Sequence, residues 1–139
     1  MYFFRALFAM IAIMLSGCVP SSSQGLRENA GGKISFDLND NYQVIYGEIL
    51  AAARNCWQNG LDTVPMVVHG DLDTDTRQGN ITAGVPGLVG LSTYFTVDVK
   101  ALSDAKTKVV VYFVFQSMEP RARAVELWVK QNSTQCRAP

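Results

Sequence analysis

The sequence has few of the residues on which cysteine or histidine chemistry depends. Its 139 residues include one histidine, His69, and three cysteines, and no two cysteines form a CxxC pair. A catalytic thiol needs a neighbouring base to activate it. The sequence therefore gives little support to a Cys–His catalytic pair.

An excess of charge of either sign is also missing. Lys and Arg together number 12, as do Asp and Glu, so the formal net charge is zero. Nucleic-acid-binding domains carry a basic patch or stripe, and proteins held on anionic lipid by charge carry clusters of basic residues. The balanced composition predicts no nucleic-acid partner, and any membrane attachment must depend on something other than surface charge.

The apolar run near the N-terminus is too short to cross a bilayer. It covers residues 6–15 (ALFAMIAIML) and follows Arg5. A transmembrane helix needs about 20 apolar residues, whereas the apolar region of a secretory leader has about 7–15. Small residues, Ser16 and Gly17, lead directly to Cys18. This pattern predicts that residues 1–17 are a signal peptide that is removed after export.

The string Leu15-Ser16-Gly17-Cys18 is similar to the lipobox of bacterial lipoprotein precursors. The resemblance implies that the thiol of Cys18 receives a diacylglyceryl group and that a further acyl chain, such as palmitate, is added to the new N-terminus. Two or more chains hold a protein stably on a membrane. Val19, rather than Asp, follows the cysteine, and in the enterobacterial pattern this implies an outer-membrane lipoprotein that faces the periplasm. The alternative is an ordinary secretory leader followed by a chance cysteine.

The next stretch is polar and rich in Ser, Gly and Asn. It shows no hydrophobic period, which is typical of a flexible linker. We therefore predict that residues 18–32 form the acylated cysteine and a flexible tether. Residues 33–139 are then a single domain.

Cys56 and Cys136 remain once Cys18 carries lipid. An even number of remaining cysteines in an exported protein predicts a disulfide. In the chain-entropy model, a loop of about 80 residues closed this way stabilises the fold by roughly 4.5 kcal/mol. A reactive thiol is the alternative.

Hydrophobic periodicity predicts an α+β domain with the order β-α-β-β-β-β-α. Alternating or apolar runs place strands at 33–38, 64–68, 80–83, 91–100 and 108–116. Apolar residues at helical spacing place helices at 42–57 and 121–132. The simplest packing is one antiparallel sheet of about five strands with both helices on one face. Because 108–116 is apolar on both sides, it should be a central strand or have a second covered face.

Several segments of the mature chain resemble small uncharacterised lipoproteins of Gram-negative bacteria. These segments are residues 41–46 (NYQVIY), residues 53–57 (ARNCW), Trp128-Val129 and Cys136. The resemblance brings no catalytic residues with it.

Carboxylates and the histidine offer two possible sites between 69 and 82. Asp71, Asp73 and Asp75 have the opening spacing of a calcium loop, but Thr76 and Thr82 occupy the positions where an EF-hand needs Gly and Glu. His69 and Asp71 would share one face of a strand, as a base and its orienting carboxylate would, but no nucleophile accompanies them. We therefore predict no metal site, no cofactor and no catalytic residue.

Glycine is concentrated between residues 78 and 91, at Gly79, Gly84, Gly87 and Gly90, together with Pro86. Glycines in strands mark bulges and bends, or places where another backbone or a ligand approaches closely. The four glycines are our candidate interface, on an exposed sheet edge.

These observations favour a membrane-anchored envelope protein that is not an enzyme and that binds or helps to assemble another envelope protein. The alternative is a carrier or sensor of a small apolar or lipid ligand held between sheet and helices. An enzyme acting on envelope glycan ranks last, because such enzymes need two suitably placed carboxylates and the acidic residues here show no recognisable pair.

Overall fold

A computed structural model describes residues 19–59 and 64–139 of the chain. The helices are α1 (Ser23–Glu28), α2 (Tyr42–Ala53) and α3 (Glu119–Gln131), with a π-helical turn at Arg54–Gln58 and a 3₁₀ turn at Gln116–Met118. The strands are β1 (Gly32–Leu38), β2 (Val67–Asp73), β3 (Gln78–Gly87), β4 (Gly90–Ser103) and β5 (Lys106–Phe113). The predicted leader and Cys18 lie outside the described residues, as does Gly60, which is predicted to end the first predicted helix because glycine is favoured just after a helix C-terminus.

The five strands form one antiparallel sheet with the spatial order β1-β5-β4-β3-β2. Short hairpins connect β2 to β5 in sequence, and β1 returns to pair with β5. The predicted α+β class and the five-stranded sheet are therefore confirmed. Strands β1 to β4 are longer than predicted, because polar outward-facing positions extend them beyond their apolar runs, and β2 begins three residues later. Strand β5 is shifted instead, beginning at Lys106 and ending at Phe113, three residues before the predicted end.

Side chains on one face of the sheet form the core with α2 and α3. Alternation places a row of apolar residues from each strand on this face, while β5 also has Val110 and Tyr112 on the opposite face. Ile49, Val97, Val111 and Val125 come from both layers and have no exposed surface. The space between sheet and helices is thus filled by the protein's own side chains.

The helix α2 begins where its sequence predicts. Asn41 is its N-cap, and the Gln43 N–H donates to the Asn41 side chain at 2.9 Å. The apolar stripe continues through the π-helical turn, which buries Cys56 and Trp57. The ring of Trp57 then stacks on Phe95 with 4.6 Å between ring centroids.

Cys56 and Cys136 form a disulfide with 5.1 Å between their Cα atoms, which confirms the predicted pairing. The C-terminal tail is held by two further hydrogen bonds. The Trp128 indole N–H donates to the Gln135 carbonyl at 2.7 Å, and the Ala138 N–H donates to the Pro120 carbonyl at 2.8 Å. The tail therefore folds back along α3.

The predicted tether is largely folded, so the domain begins before residue 33. Residues Ser23–Glu28 form α1, which contacts β4 and β5 on the sheet face opposite α2 and α3. Leu26 is completely buried there. The Thr93 N–H also donates to the Pro20 carbonyl at 2.7 Å. One buried leucine in a polar stretch gives no hydrophobic period, and the sequence pattern therefore missed this helix.

Candidate interaction surfaces

Gly79 and Gly84 lie inside the sheet rather than at an exposed edge. A Cβ atom on Gly79 would collide with the ring of Tyr46, and one on Gly84 would collide with the Ser92 carbonyl. At Gly84 the pairing of β3 with β4 also shifts by one residue, which is a bulge. Strand β3 is paired with β2 and β4 over residues 78–84. These two glycines permit close packing. Their internal position corrects the prediction that they lie on an exposed sheet edge.

Gly87 and Gly90 enclose the turn between β3 and β4, which we call the hairpin tip (residues 87–90). Gly90 has a φ of 118°, a conformation that favours glycine. Between them, Leu88 and Val89 are 107% and 99% exposed. Turns of this kind usually carry polar residues. The glycine spacing predicted a special site here, whereas no pattern in the sequence singled out the two apolar residues between them.

Strand β2 is the true sheet edge on this side of the molecule. It pairs with β3 along seven residues and ends the strand order of the described sheet. His69, Asp71 and Asp73 are all exposed and share the outer face, opposite the core. The structure thus places His69 and Asp71 on one face, as the sequence predicted.

A hydrogen-bond network fixes α1 to the outer face of the sheet. Arg27 makes two contacts with Asp98, Nε to Oδ2 at 2.7 Å and Nη2 to Oδ1 at 2.6 Å. Asn80 donates to Asp98 at 2.8 Å, and Thr82 donates to Asn80 at 3.0 Å. The hydrogen bond to Asp98 raises the pKa of Arg27. Bidentate Arg–carboxylate pairs are among the stronger polar contacts, so this network positions α1.

An open groove of about 520 Å³ lies between α1 and the β2–β3 turn. Its charged lining residues carry both signs and are Arg27, Asp71, Asp73, Asp98, Lys100 and Lys108. A surface of this kind suits a partner with polar and charged side chains, because an apolar ligand would leave these charges unpaired.

Asp71 and Asp73 belong to β2, and only Asp75 lies in the turn between β2 and β3. The Asp73 Oδ1 accepts hydrogen bonds from the N–H groups of Asp75 at 2.9 Å and Thr76 at 3.1 Å. The bonds to Thr76 are the main cause of the lowered pKa of Asp73. Within residues 19–59 and 64–139, no group of three or more His, Cys, Asp or Glu side chains is arranged to hold a metal ion.

A second depression, of about 410 Å³, is mainly apolar and lies near the hairpin tip. Its lining residues are Val64, Met66, Val85, Tyr94, Met118 and Arg121. The ring of Tyr94 also faces that of Phe115, which is 48% exposed, with 6.3 Å between ring centroids. Among the described residues, Val64, Leu88, Val89 and Phe115 thus place exposed apolar side chains at or near this end of the sheet, whereas Leu102 does so at the opposite end.

Comparison with known proteins adds no family. No protein-family model matches the chain, and a search of curated proteins finds no match. None of the helices in the described part of the chain is long and apolar enough to cross a bilayer.

Proposed function

We propose that this protein is a lipid-anchored envelope module, held through Cys18 in the outer membrane and facing the periplasm, that binds another envelope protein without catalysing a reaction. Its interaction site is the free edge of β2. The lipobox resemblance supports the anchor. The site is supported by the pairing of β2, which within residues 19–59 and 64–139 has β3 as its one neighbouring strand.

A sheet edge can accept a further strand from a partner, with main-chain hydrogen bonds giving affinity and side-chain positions giving specificity. On β2 the exposed side chains next to that edge are His69, Asp71 and Asp73. An added strand would pair its outer-face side chains with these residues, and opposite charges across strands are favourable. The partner segment is therefore an extended one with basic residues at alternate positions.

The bordering groove supports the same site. Asp71 and Asp73 line its rim on β2, while Lys100 and Lys108 lie farther across the sheet. A partner strand on β2 could extend polar side chains into this groove. Surface charges of this kind set the choice of partner and the association rate more than the affinity.

In-cell photo-crosslinking of the full-length acylated protein tests the site. A photoreactive residue at His69 should capture one abundant envelope protein, whereas the same residue at Glu48, exposed on α2, should not. Asp71→Lys should abolish the His69 adduct, because the new positive charge would repel the basic residues of the partner strand. Glu48→Lys should leave the adduct unchanged. Equal adducts from both positions, or an adduct that survives Asp71→Lys, would contradict the proposal.

The mainly apolar depression favours a second function, binding of a small apolar or lipid ligand. It lies at the surface, since the layer between sheet and helices is filled. Stoichiometric lipid that co-purifies with the protein after removal of detergent would support this alternative. Loss of that lipid in Tyr94→Ala, a residue of the depression, would locate the ligand there.

A further inference from the structure

The chain enters the folded domain close to the hairpin tip. The Pro20 carbonyl accepts a hydrogen bond from the Thr93 N–H. Thr93 lies three residues after Gly90 in β4. Strands advance about 3.3 Å per residue, so Thr93 is about 10 Å from the turn. Covalent geometry limits the distance between the Cα atoms of Cys18 and Pro20 to about 7 Å. The acyl chains on Cys18 would therefore be attached at the same end of the molecule as the hairpin tip.

The folding of α1 also removes the slack that a tether would provide. Leu26 and the Arg27–Asp98 pair fix the N-terminal segment on the sheet. Only Val19 separates Cys18 from the hydrogen-bonded Pro20. Acyl chains on Cys18 would therefore draw this end of the domain onto the bilayer surface rather than let it turn freely.

The two ends of the sheet differ in the polarity of their exposed side chains, and contact with a bilayer requires an apolar end. The tip presents Leu88 and Val89, and the mainly apolar depression includes Val85, two residues before the tip. The opposite end carries the ion pairs Arg77–Asp104 and Lys106–Asp37 beside one half-exposed leucine, Leu102. Placing those charges against lipid would remove water from them at a large cost. Apolar side chains, by contrast, enter the boundary between headgroups and acyl chains favourably.

We infer that the hairpin tip is a second membrane contact, in which Leu88 and Val89 insert into the bilayer that holds the acyl chains of Cys18. This inference rests on the lipid anchor of the proposed function. The two contacts together fix the orientation of the domain, with the β4–β5 turn away from the membrane. The edge of β2 then stands upright from the membrane surface, open to a partner.

Site-specific fluorescence on the full-length acylated protein tests this contact. Val89→Cys provides a single free thiol for a polarity-sensitive dye, because the acyl group occupies the thiol of Cys18 and because Cys56 and Cys136 are joined in the disulfide. Ala105→Cys, exposed in the β4–β5 turn, is the matched control. Both proteins are placed in phosphatidylethanolamine–phosphatidylglycerol vesicles containing lipids with nitroxide-labelled tails.

We expect the dye at position 89 to shift its emission to shorter wavelength and to be quenched several-fold more strongly than the dye at 105. Equal quenching at both positions, in protein that mass spectrometry shows to carry lipid on Cys18, would overturn the contact and leave the anchor standing. Mature protein without lipid on Cys18 would overturn both. Protein rather than lipid adducts from a photoreactive residue at Val89 in cells would also overturn the contact.

Discussion

At the scale of single residues, two glycines allow α2 to pack closely on the sheet. Tyr46 points from α2 towards β2 and β3, and a Cβ atom on either Gly70 or Gly79 would collide with it. Burial in this contact is the main cause of the raised pKa of Tyr46. Because interiors are packed as densely as organic crystals, a methyl group added there has no free space to occupy.

We predict that Gly79→Ala lowers the free energy of unfolding by about 1–3 kcal/mol, because it overpacks the Tyr46 contact. Gly47→Ala is the control, since Gly47 lies in α2 with open space around its Cβ position. That substitution should instead stabilise the protein by about 0.5–1 kcal/mol through helix propensity. Urea denaturation measures both. Equal effects in the same direction would refute the packing role of Gly79.

At the scale of secondary-structure elements, α1 is the least expected part of the molecule. It has six residues, too few for stability on its own. Its position depends on the buried Leu26 and on the Arg27–Asp98 pair. Strand β5, by contrast, was predicted to be central or covered on both faces, and it lies between β1 and β4 with α1 against its outer face.

We predict that Leu26→Ala releases α1 from the sheet while the remaining fold persists. The substitution removes a fully buried side chain, which in cores costs about 2–5 kcal/mol. Hydrogen exchange at the Thr93 amide should become faster, because its bond to Pro20 opens together with α1. Glu28→Ala, which removes only the exposed Gln24–Glu28 bond, should leave this exchange nearly unchanged. Unchanged protection of Thr93 in Leu26→Ala would show that α1 does not depend on Leu26.

At the scale of the whole molecule, the disulfide joins the end of the α2 segment to the C-terminal tail, 80 residues apart in sequence. Both helices lie on the same face of the sheet and contact each other. The tail has further hydrogen bonds to Trp128 and Pro120, so its folded position does not depend on the disulfide alone.

We predict that the double substitution Cys56→Ser/Cys136→Ser lowers the free energy of unfolding by about 4 kcal/mol, mainly because the unfolded chain regains the entropy of the open loop. Guanidinium denaturation of residues 19–139 measures the loss, with the same residues of the wild type, after reduction, as the comparison. The double variant and the reduced wild type should agree. A loss below about 1 kcal/mol would show that residual structure in the unfolded chain already restricts that loop.

The sequence by itself determined the α+β class, the order of the main elements and the pairing of Cys56 with Cys136. The elements depend on hydrophobic period, which is a local pattern. The disulfide depends on a count, because two cysteines remain once Cys18 is assigned to the lipid. Only the tertiary structure decided that α1 is docked, that Gly79 and Gly84 are internal, and that β2 is the sheet edge. These features arise from contacts between residues distant in sequence, such as Arg27 with Asp98 and Tyr46 with Gly79, and no local period records such contacts.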